Sequence, residues 1–217
     1  LDEIYAGVPG RGATDAWHKV FTTLEECKLE DRGYCVGVAD IAKFFDQIKR
    51  AMLYQVAAAA GMPVGVLTAY KAYLENLLLY NKLAGGLGAP HRRQCGIPQG
   101  CPLSMAMVAL IMRPWIVLMR TIGDIRSYIL ADDVLIVAQG QHMLGQFAKA
   151  LNSTHDFLQE MGAKVAPNKS YNFASGGKAA RWLSQTTWEH IGAAIEVVTD
   201  LRYLGAHLTT RLEPTSA

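Results

Sequence analysis

An α+β fold built on a small antiparallel sheet is what this sequence predicts, on three observations. Short apolar, β-leaning runs and helical periodicities are mixed without a regular βαβ rhythm. Two such runs, residues 126–130 and 134–138, flank Ala131-Asp132-Asp133 as two strands joined by a tight turn. A third run, residues 34–39, ends at Asp40.

The elements follow in order. Val8-Pro9-Gly10-Arg11-Gly12-Ala13 is turn-rich, and Thr14 or Asp15 is placed to cap the helix after it. Trp17, Val20, Phe21, Leu24 and Cys27 or Leu29 recur at near-helical spacing until Asp31-Arg32-Gly33 breaks the pattern. Helices are expected over 49–60 and 64–79, separated by Gly61-Met62-Pro63. Gly85-Gly86-Leu87-Gly88 reads as a loop, and residues 92–97 lead into Pro98-Gln99-Gly100. A long apolar helix is expected over 103–119. A second helix over 141–161 is amphipathic, with Met143, Leu144, Phe147, Leu151, Phe157, Leu158 and Met161 largely on one face. The remainder holds short β-like runs at 171–173, 194–198 and 202–208, and no internal repeat is visible.

Composition narrows the class. With 217 residues, 51% of them hydrophobic, the chain has apolar material for one well-buried domain, or one domain with a small appendage, and disorder of the whole is excluded. Charged residues are 18%, below the usual quarter, as in a core that belongs to a larger assembly. The formal net charge of +2 points to no nucleic-acid partner by itself, yet clustered acids would mask a basic groove in the total. Cys27, Cys35, Cys95 and Cys101 fit no CxxC zinc spacing and read as reduced, mostly buried thiols. No signal peptide is recognisable. The most apolar stretch, 105–119, is interrupted by Arg113 and Pro114 and is shorter than the roughly 20 residues of a spanning helix, so no membrane role is expected. The chain opens on Leu1 and reads as a fragment of a longer polypeptide.

The chemistry sits in the acids. Two adjacent aspartates at a strand junction repel each other unless something compensates. A water-exposed turn is one reading of Asp132-Asp133. A hard divalent cation, which takes oxygen ligands, is the other. Asp40 is open to the same choice, between a helix N-cap and a carboxylate on a rigid strand end. If Asp40 and Asp132 meet on neighbouring strands, two metals about 3.5–4 Å apart could activate a 3′-hydroxyl and stabilise a leaving pyrophosphate. Between them, Gly96-Ile-Pro-Gln-Gly-Cys-Pro-Leu-Ser104 is either an ordinary connector or a loop whose backbone approaches a ligand closely.

Read in order, these pieces resemble the motifs of reverse transcriptases. Asp40-Ile-Ala-Lys-Phe-Phe-Asp46 is similar to the first palm motif, and the 96–104 segment to the second. Leu130-Ala-Asp-Asp133 resembles the aromatic-Ala-Asp-Asp box, with leucine in first place. Asn168-Lys169 resembles the lysine-bearing motif after the next helix. Leu201-Arg-Tyr-Leu-Gly-Ala-His-Leu208 resembles the primer-grip hairpin, and residues 8–16 the fingers segment of non-LTR retrotransposon enzymes. The wording Gly-Cys-Pro-Leu-Ser favours that branch over retroviral enzymes, with group II intron enzymes as the nearest rival.

The resemblance implies a right-hand polymerase palm, its small antiparallel sheet backed by helices, with partial fingers. Residues 1–33 would be the partial fingers segment. Residues 34–217 would be palm, with a fingers-type helical insertion at about 49–90 and no thumb after the primer grip. It implies RNA-directed DNA synthesis with two Mg2+ ions (or Mn2+), bound by Asp40, Asp132 and Asp133. Phe45 would stand against the sugar of the incoming dNTP, where a ring clashes with a 2′-hydroxyl. Gln99 and Gly100 would track nucleotide and template, and Lys169 the leaving phosphate. Phe45 can equally be a core aromatic, or cede that place to Phe44, and Lys169 can be a solvated surface lysine. Arg11, Arg92 and Arg93 are either phosphate contacts or solvated surface charges. Tyr203, Leu204 and Gly205 would contact the primer.

Implied partners are an RNA template, a DNA primer, dNTP and the rest of a parent retroelement polyprotein. The implied location, by analogy, is the nucleus. Met105 and Ala106 depart from the Ser-Pro of many relatives, at the start of the following helix. Two other readings compete. One is an RNA-dependent RNA polymerase palm, against which Ala131 and Phe45 speak. The other is a decayed retroelement fragment without catalysis.

Overall fold

The computed structural model describes residues 2–203 and 206–209. The first helix, α1 (Ala13–Leu29), begins one residue before the expected caps. Gly12 is the N-cap, and Asp15 serves instead from inside the first turn, accepting the Gly12 N–H at 2.8 Å. β1 (Tyr34–Ala42) runs past Asp40, so that aspartate lies within the strand and is not a helix cap. A one-turn helix α2 (Phe44–Gln47), α3 (Arg50–Ala59) and α4 (Val64–Asn76) follow. The loop expected at 85–88 instead carries β3 (Gly86–Leu87), which pairs with β2 (Lys82–Leu83) in a minimal hairpin.

Next comes α5 (Pro102–Arg120), then β4 (Ile125–Leu130), β5 (Asp133–Gln139) and α6 (Met143–Met161). β6 (Lys164–Val165), a 3-10 turn at Pro167–Lys169 and β7 (Tyr171–Ala174) lead to α7 (Gly177–Gln185). α7 lies between the short β-like runs expected at 171–173 and 194–198, where no helix was expected. β8 (Glu196–Val197) and the hairpin β9 (Asp200–Tyr203) and β10 (Ala206–Thr209) complete the described chain.

The main sheet has the order β4-β5-β1-β7-β8, with β6 also pairing β1. Its ladders are antiparallel except for the short parallel β7–β8 pair. Period-2 alternation divides the side chains between two cores. Cys35, Ala39, Ile41, Val134, Ile136 and Ala138 pack against α5 and α6, with Met107, Ile111, Trp115 and Phe147. Tyr34, Val36, Val38, Leu135 and Val137 face α1, with Ala16, Val20, Leu24 and Cys27. Each large side chain so buried contributes roughly 1.5–3 kcal/mol. By length and composition α5 could cross a membrane, contrary to the shorter apolar run expected; here its buried face is the central layer of the larger core. Cys27 and Cys35 are buried as expected, but Cys95 is exposed.

At Gly37, in the middle of β1, a Cβ would stand 2.8 Å from the Phe147 ring, so a missing side chain lets α6 settle onto the sheet. Further along α6, His155 is 4% exposed. Burial, and then the neighbouring His190, pushes its pKa from 6.5 down to about 4. The folded state therefore refuses a proton that the unfolded chain accepts between those values. Stability from this group is fully present above pH 6.5 and is lost as pH falls toward 4. In metal-free buffer, the stability difference between wild type and His155→Gln should shrink by on the order of 2 kcal/mol across that window, measured by urea unfolding. A difference that stays constant would sink the assignment.

Candidate active site

The register of β1 on β5 places Asp40 directly opposite Asp133. Directly opposed residues project to the same face, here the α1 face, where Val38 and Leu135 are buried and both acids are half-exposed. Leu130 pairs with Asp133, so Ala131 and Asp132 form a two-residue hairpin turn. Ala131 holds φ at +58°, a region that costs an L-residue about 1–2 kcal/mol. Strain of this kind persists only where the surroundings over-determine it. Leu130 is half-buried and packs on the α1-side core, as a packing residue should.

The three carboxylates sense one another. Burial pushes the Asp133 pKa up to about 6, and the charges of Asp132 and Asp40 add to the rise. A cation at the cluster is Lys169, whose Nζ lies 3.9 Å from Asp40 Oδ2 while the side chain stays two-thirds exposed. The Ala166 N–H, just before the 3-10 turn that carries Lys169, donates to the Asp40 carbonyl at 2.8 Å. Hard oxygen donors in mutual repulsion suit magnesium or manganese chemically. Among the described residues, however, no group of three or more His, Cys, Asp or Glu stands ready to hold a metal ion. A cation would have to draw these acids together.

Beside Asp132 lies an open concavity of about 520 Å³ that also has Phe45, Gln99, Gly100, Cys101 and Met105 in its wall. Phe44 is the core aromatic, 1% exposed, and Phe45 is partly exposed at the concavity. The loop carrying Gln99 is docked by backbone. Ile97 N–H donates to Phe45 carbonyl oxygen at 2.7 Å, and Gly96 N–H to that of Ile48 at 2.8 Å. Gly96 has φ +82°, and a Cβ there would meet the Asp46 and Phe45 carbonyl oxygens at 2.7 and 2.8 Å. Only glycine permits that approach.

Arg50 was missed by sequence reasoning, being one cation at a helix start. It is 6% exposed. Its Nε donates to the Gly96 carbonyl at 2.8 Å, and its Nη1 donates to the Leu74 carbonyl at 3.0 Å. It thereby ties the loop to α4. The spacing of Arg50 from Asp40 carries no signal of this; a buried-side position in an amphipathic helix was the available hint.

The remaining candidates are scattered. Arg93 is ion-paired to Asp46, and Arg11 to Asp2 at 2.8 Å, so both basic groups already face acids. Arg92 is exposed away from the Asp132 concavity's wall. Tyr203 is the last residue of β9, while Leu204 and Gly205 lie outside the described residues.

The sequence matches the family described as reverse transcriptase (RNA-dependent DNA polymerase) over residues 2–208. No curated protein matches it. Among solved structures, telomerase from Candida albicans in complex with a TWJ fragment of telomeric RNA is similar over 96% of this chain and 33% of that one, with 13% identity and a TM-score of 0.63. Apo telomerase from Candida tropicalis, truncated from its C-terminal domain, is similar over 76% of this chain and 36% of that one, with 15% identity and a TM-score of 0.58. At such identities the likeness is one of fold. The chain spans about a third of the length of these telomerase chains.

Two outcomes follow from the geometry. Asp133→Asn removes a charge whose burial and repulsion are uncompensated, so it should raise stability at neutral pH by about 1–2 kcal/mol after solvent screening. Because the Asp133 pKa is raised, that penalty grows as pH climbs from 3.8 to about 6, and the gain should vanish below pH 4. Thermal melts across pH check this; a destabilised variant at neutral pH would contradict it. Arg50→Met leaves two carbonyls without their donor and should cost about 2–4 kcal/mol in urea unfolding, with Arg50→Lys recovering part of it.

Proposed function

We propose that this chain, which belongs to the reverse transcriptase (RNA-dependent DNA polymerase) family, is the core of an enzyme that extends a DNA primer on an RNA template with dNTPs. The observation that carries the reading is the pairing of Asp40 with Asp133 next to the Asp132 turn, with Phe45 and Gln99 on the adjoining wall. Division of the chain into a partial fingers segment at 1–33 and a palm from residue 34, with residues 49–90 as a fingers-type insertion, belongs to the same proposal. So do a non-LTR retroelement parent and a nuclear site of action.

Asp40, Asp132 and Asp133 would hold two Mg2+ or Mn2+ ions. When bound, such ions lower the pKa of a 3′-hydroxyl and neutralise charge on the pyrophosphate leaving group. The rest falls to the protein. The strained turn fixes Asp132 on a hairpin between two paired strands, so its carboxylate is held by a rigid support. Phe45, anchored by the core aromatic Phe44 beside it at 6.1 Å between ring centres, would face the sugar and crowd a 2′-hydroxyl. Gln99 and the backbone of Gly100 would orient the base and its template partner. Lys169 can turn from Asp40 to a phosphate, since its side chain is largely in solvent.

Primer extension by the chain in its full-length context, on an RNA template with separate dNTP and NTP pools, tests the reading. Asp40→Asn and Asp132→Asn should each lower the rate by roughly 1000-fold, several kcal/mol of transition-state stabilisation. Phe45→Ala should raise ribonucleotide use relative to deoxyribonucleotide by about tenfold or more. Extension with NTP in preference to dNTP by the wild type would favour an RNA polymerase palm, and extension with neither a non-catalytic protein. An unchanged sugar ratio in Phe45→Ala would move that role to another residue.

A further inference from the structure

β4 is an outermost strand of the main sheet, and it leads directly into the turn of Ala131 and Asp132. Its outer edge is met by the residues that precede α1. Ile4 bridges Ile129 in parallel. The Ile129 N–H donates to the Glu3 carbonyl at 2.9 Å, and the Tyr5 N–H donates to the Ile129 carbonyl at 3.0 Å. Ile4 is buried in the larger core, and Tyr5 in the α1-side core, where it stacks on Tyr128 of the same strand. Both ends of this short segment are fixed on α5. The Glu3 carboxylate accepts from Arg120 Nε at 2.7 Å and from Arg120 Nη2 at 2.9 Å, in the last turn of that helix. Gly7 holds φ at +74°, and a Cβ there would stand 2.6 Å from the Met105 carbonyl oxygen, near the start of the helix. Met105 is itself in the wall of the concavity beside Asp132.

A strand at the edge of a sheet is paired on one side, and element ends open first. Opening at the end of β4 would relax the positive φ of Ala131 and let Asp132 drift. Such a conformation persists where its surroundings over-determine it, and the second partner at Ile129, two residues before Ala131, supplies that constraint. We propose that residues 3–7 are a strap that positions Asp132, with Glu3 clasped by Arg120 and Gly7 seated on Met105 as its two anchoring residues. The strap ties the strand that delivers the carboxylate to the helix that walls the concavity. This inference rests on the reading of Asp132 as an acid of a nucleotidyl-transfer site. The clasp adds little to stability, since Arg120 is half in solvent and pairs of that kind are screened. Placement is far more sensitive, because a small displacement of a catalytic group costs rate steeply. Glu3 and Gly7 act through β4 and α5 and are positioning residues.

Two measurements on the chain in its full-length context test this. One is amide hydrogen exchange across β4 without metal or substrate; the other is steady-state primer extension over a Mg2+ series. Glu3→Ala and Arg120→Ala should each speed exchange of the Ile129 amide by about tenfold, with global melting unchanged. Each should lower kcat by roughly tenfold, raise the Mg2+ concentration for half-maximal rate, and leave KM for primer and template unchanged. The exchanged pair, Glu3→Arg with Arg120→Glu, should restore both readouts. Gly7→Ala, which pushes the other end of the strap off Met105, should lower kcat with the clasp intact; if it does not fold, the clasp variants decide. Ile129 exchange that stays slow in both clasp variants, or a kcat equal to that of the wild type, would overturn the strap while wild-type extension stands. A wild type that extends no primer overturns the reading of the acids, and the positioning role with it.

Discussion

The structure depends on the antiparallel pairing of β1 with β5. Seven consecutive partners, from Tyr34 with Gln139 to Asp40 with Asp133, lock the register. Because side chains alternate with period 2, a slip of one strand by one residue would send its α1-facing residues to the wrong core and turn its acid toward α5 and α6. The apolar pattern therefore does two things at once. It buries both sheet faces, and at the far end of the same ladder it forces two carboxylates into opposition. Hydrophobic burial over most of the strand offsets a local repulsion that would not be tolerated alone.

Around that pair the molecule concentrates its unfavourable features. Asp133 is half-buried among like charges, Ala131 sits at positive φ, and Gly96 is pressed against the carbonyls of Phe45 and Asp46. The first two raise the energy of the folded state, glycine relieves the third, and all lie within the same neighbourhood. Arg50 balances part of this. Its planar fork reaches the loop and α4 together, so the wall bearing Gln99 is tied to that helix. Stability is supplied elsewhere, in the layer of α5 and α6 under the sheet, where Trp115 and Phe147 are fully buried.

That distribution matches a family whose chemistry is done by charge placement. An apolar core would be more stable without the aspartates, and a sheet would be more regular without the turn. The family match spans residues 2–208, while the fold likeness to two Candida telomerases extends across most of this chain and about a third of theirs.

Much of this was written in the chain order. The apolar runs around Ala131-Asp132-Asp133 and before Asp40 identified the strands, since short apolar runs closed by acids and a turn leave a local trace. The long helices 102–120 and 143–161 were legible to within two residues through a long apolar run and a helical apolar face. Phe44 and Phe45 could not be separated by sequence, because adjacent aromatics differ only in which one the fold turns inward. Three things were decided by tertiary structure alone. The six-residue loop 96–101 found its place through a glycine that touches backbone 50 residues earlier. Arg50 gained its role from carbonyls brought to it by α4 and the loop. His155 and His190, 35 positions apart, met only because α6 and the turn before β8 pack on one side of β6. Local patterns determine what a segment forms; which distant atoms it meets depends on how the segments close on one another, and no local periodicity records that.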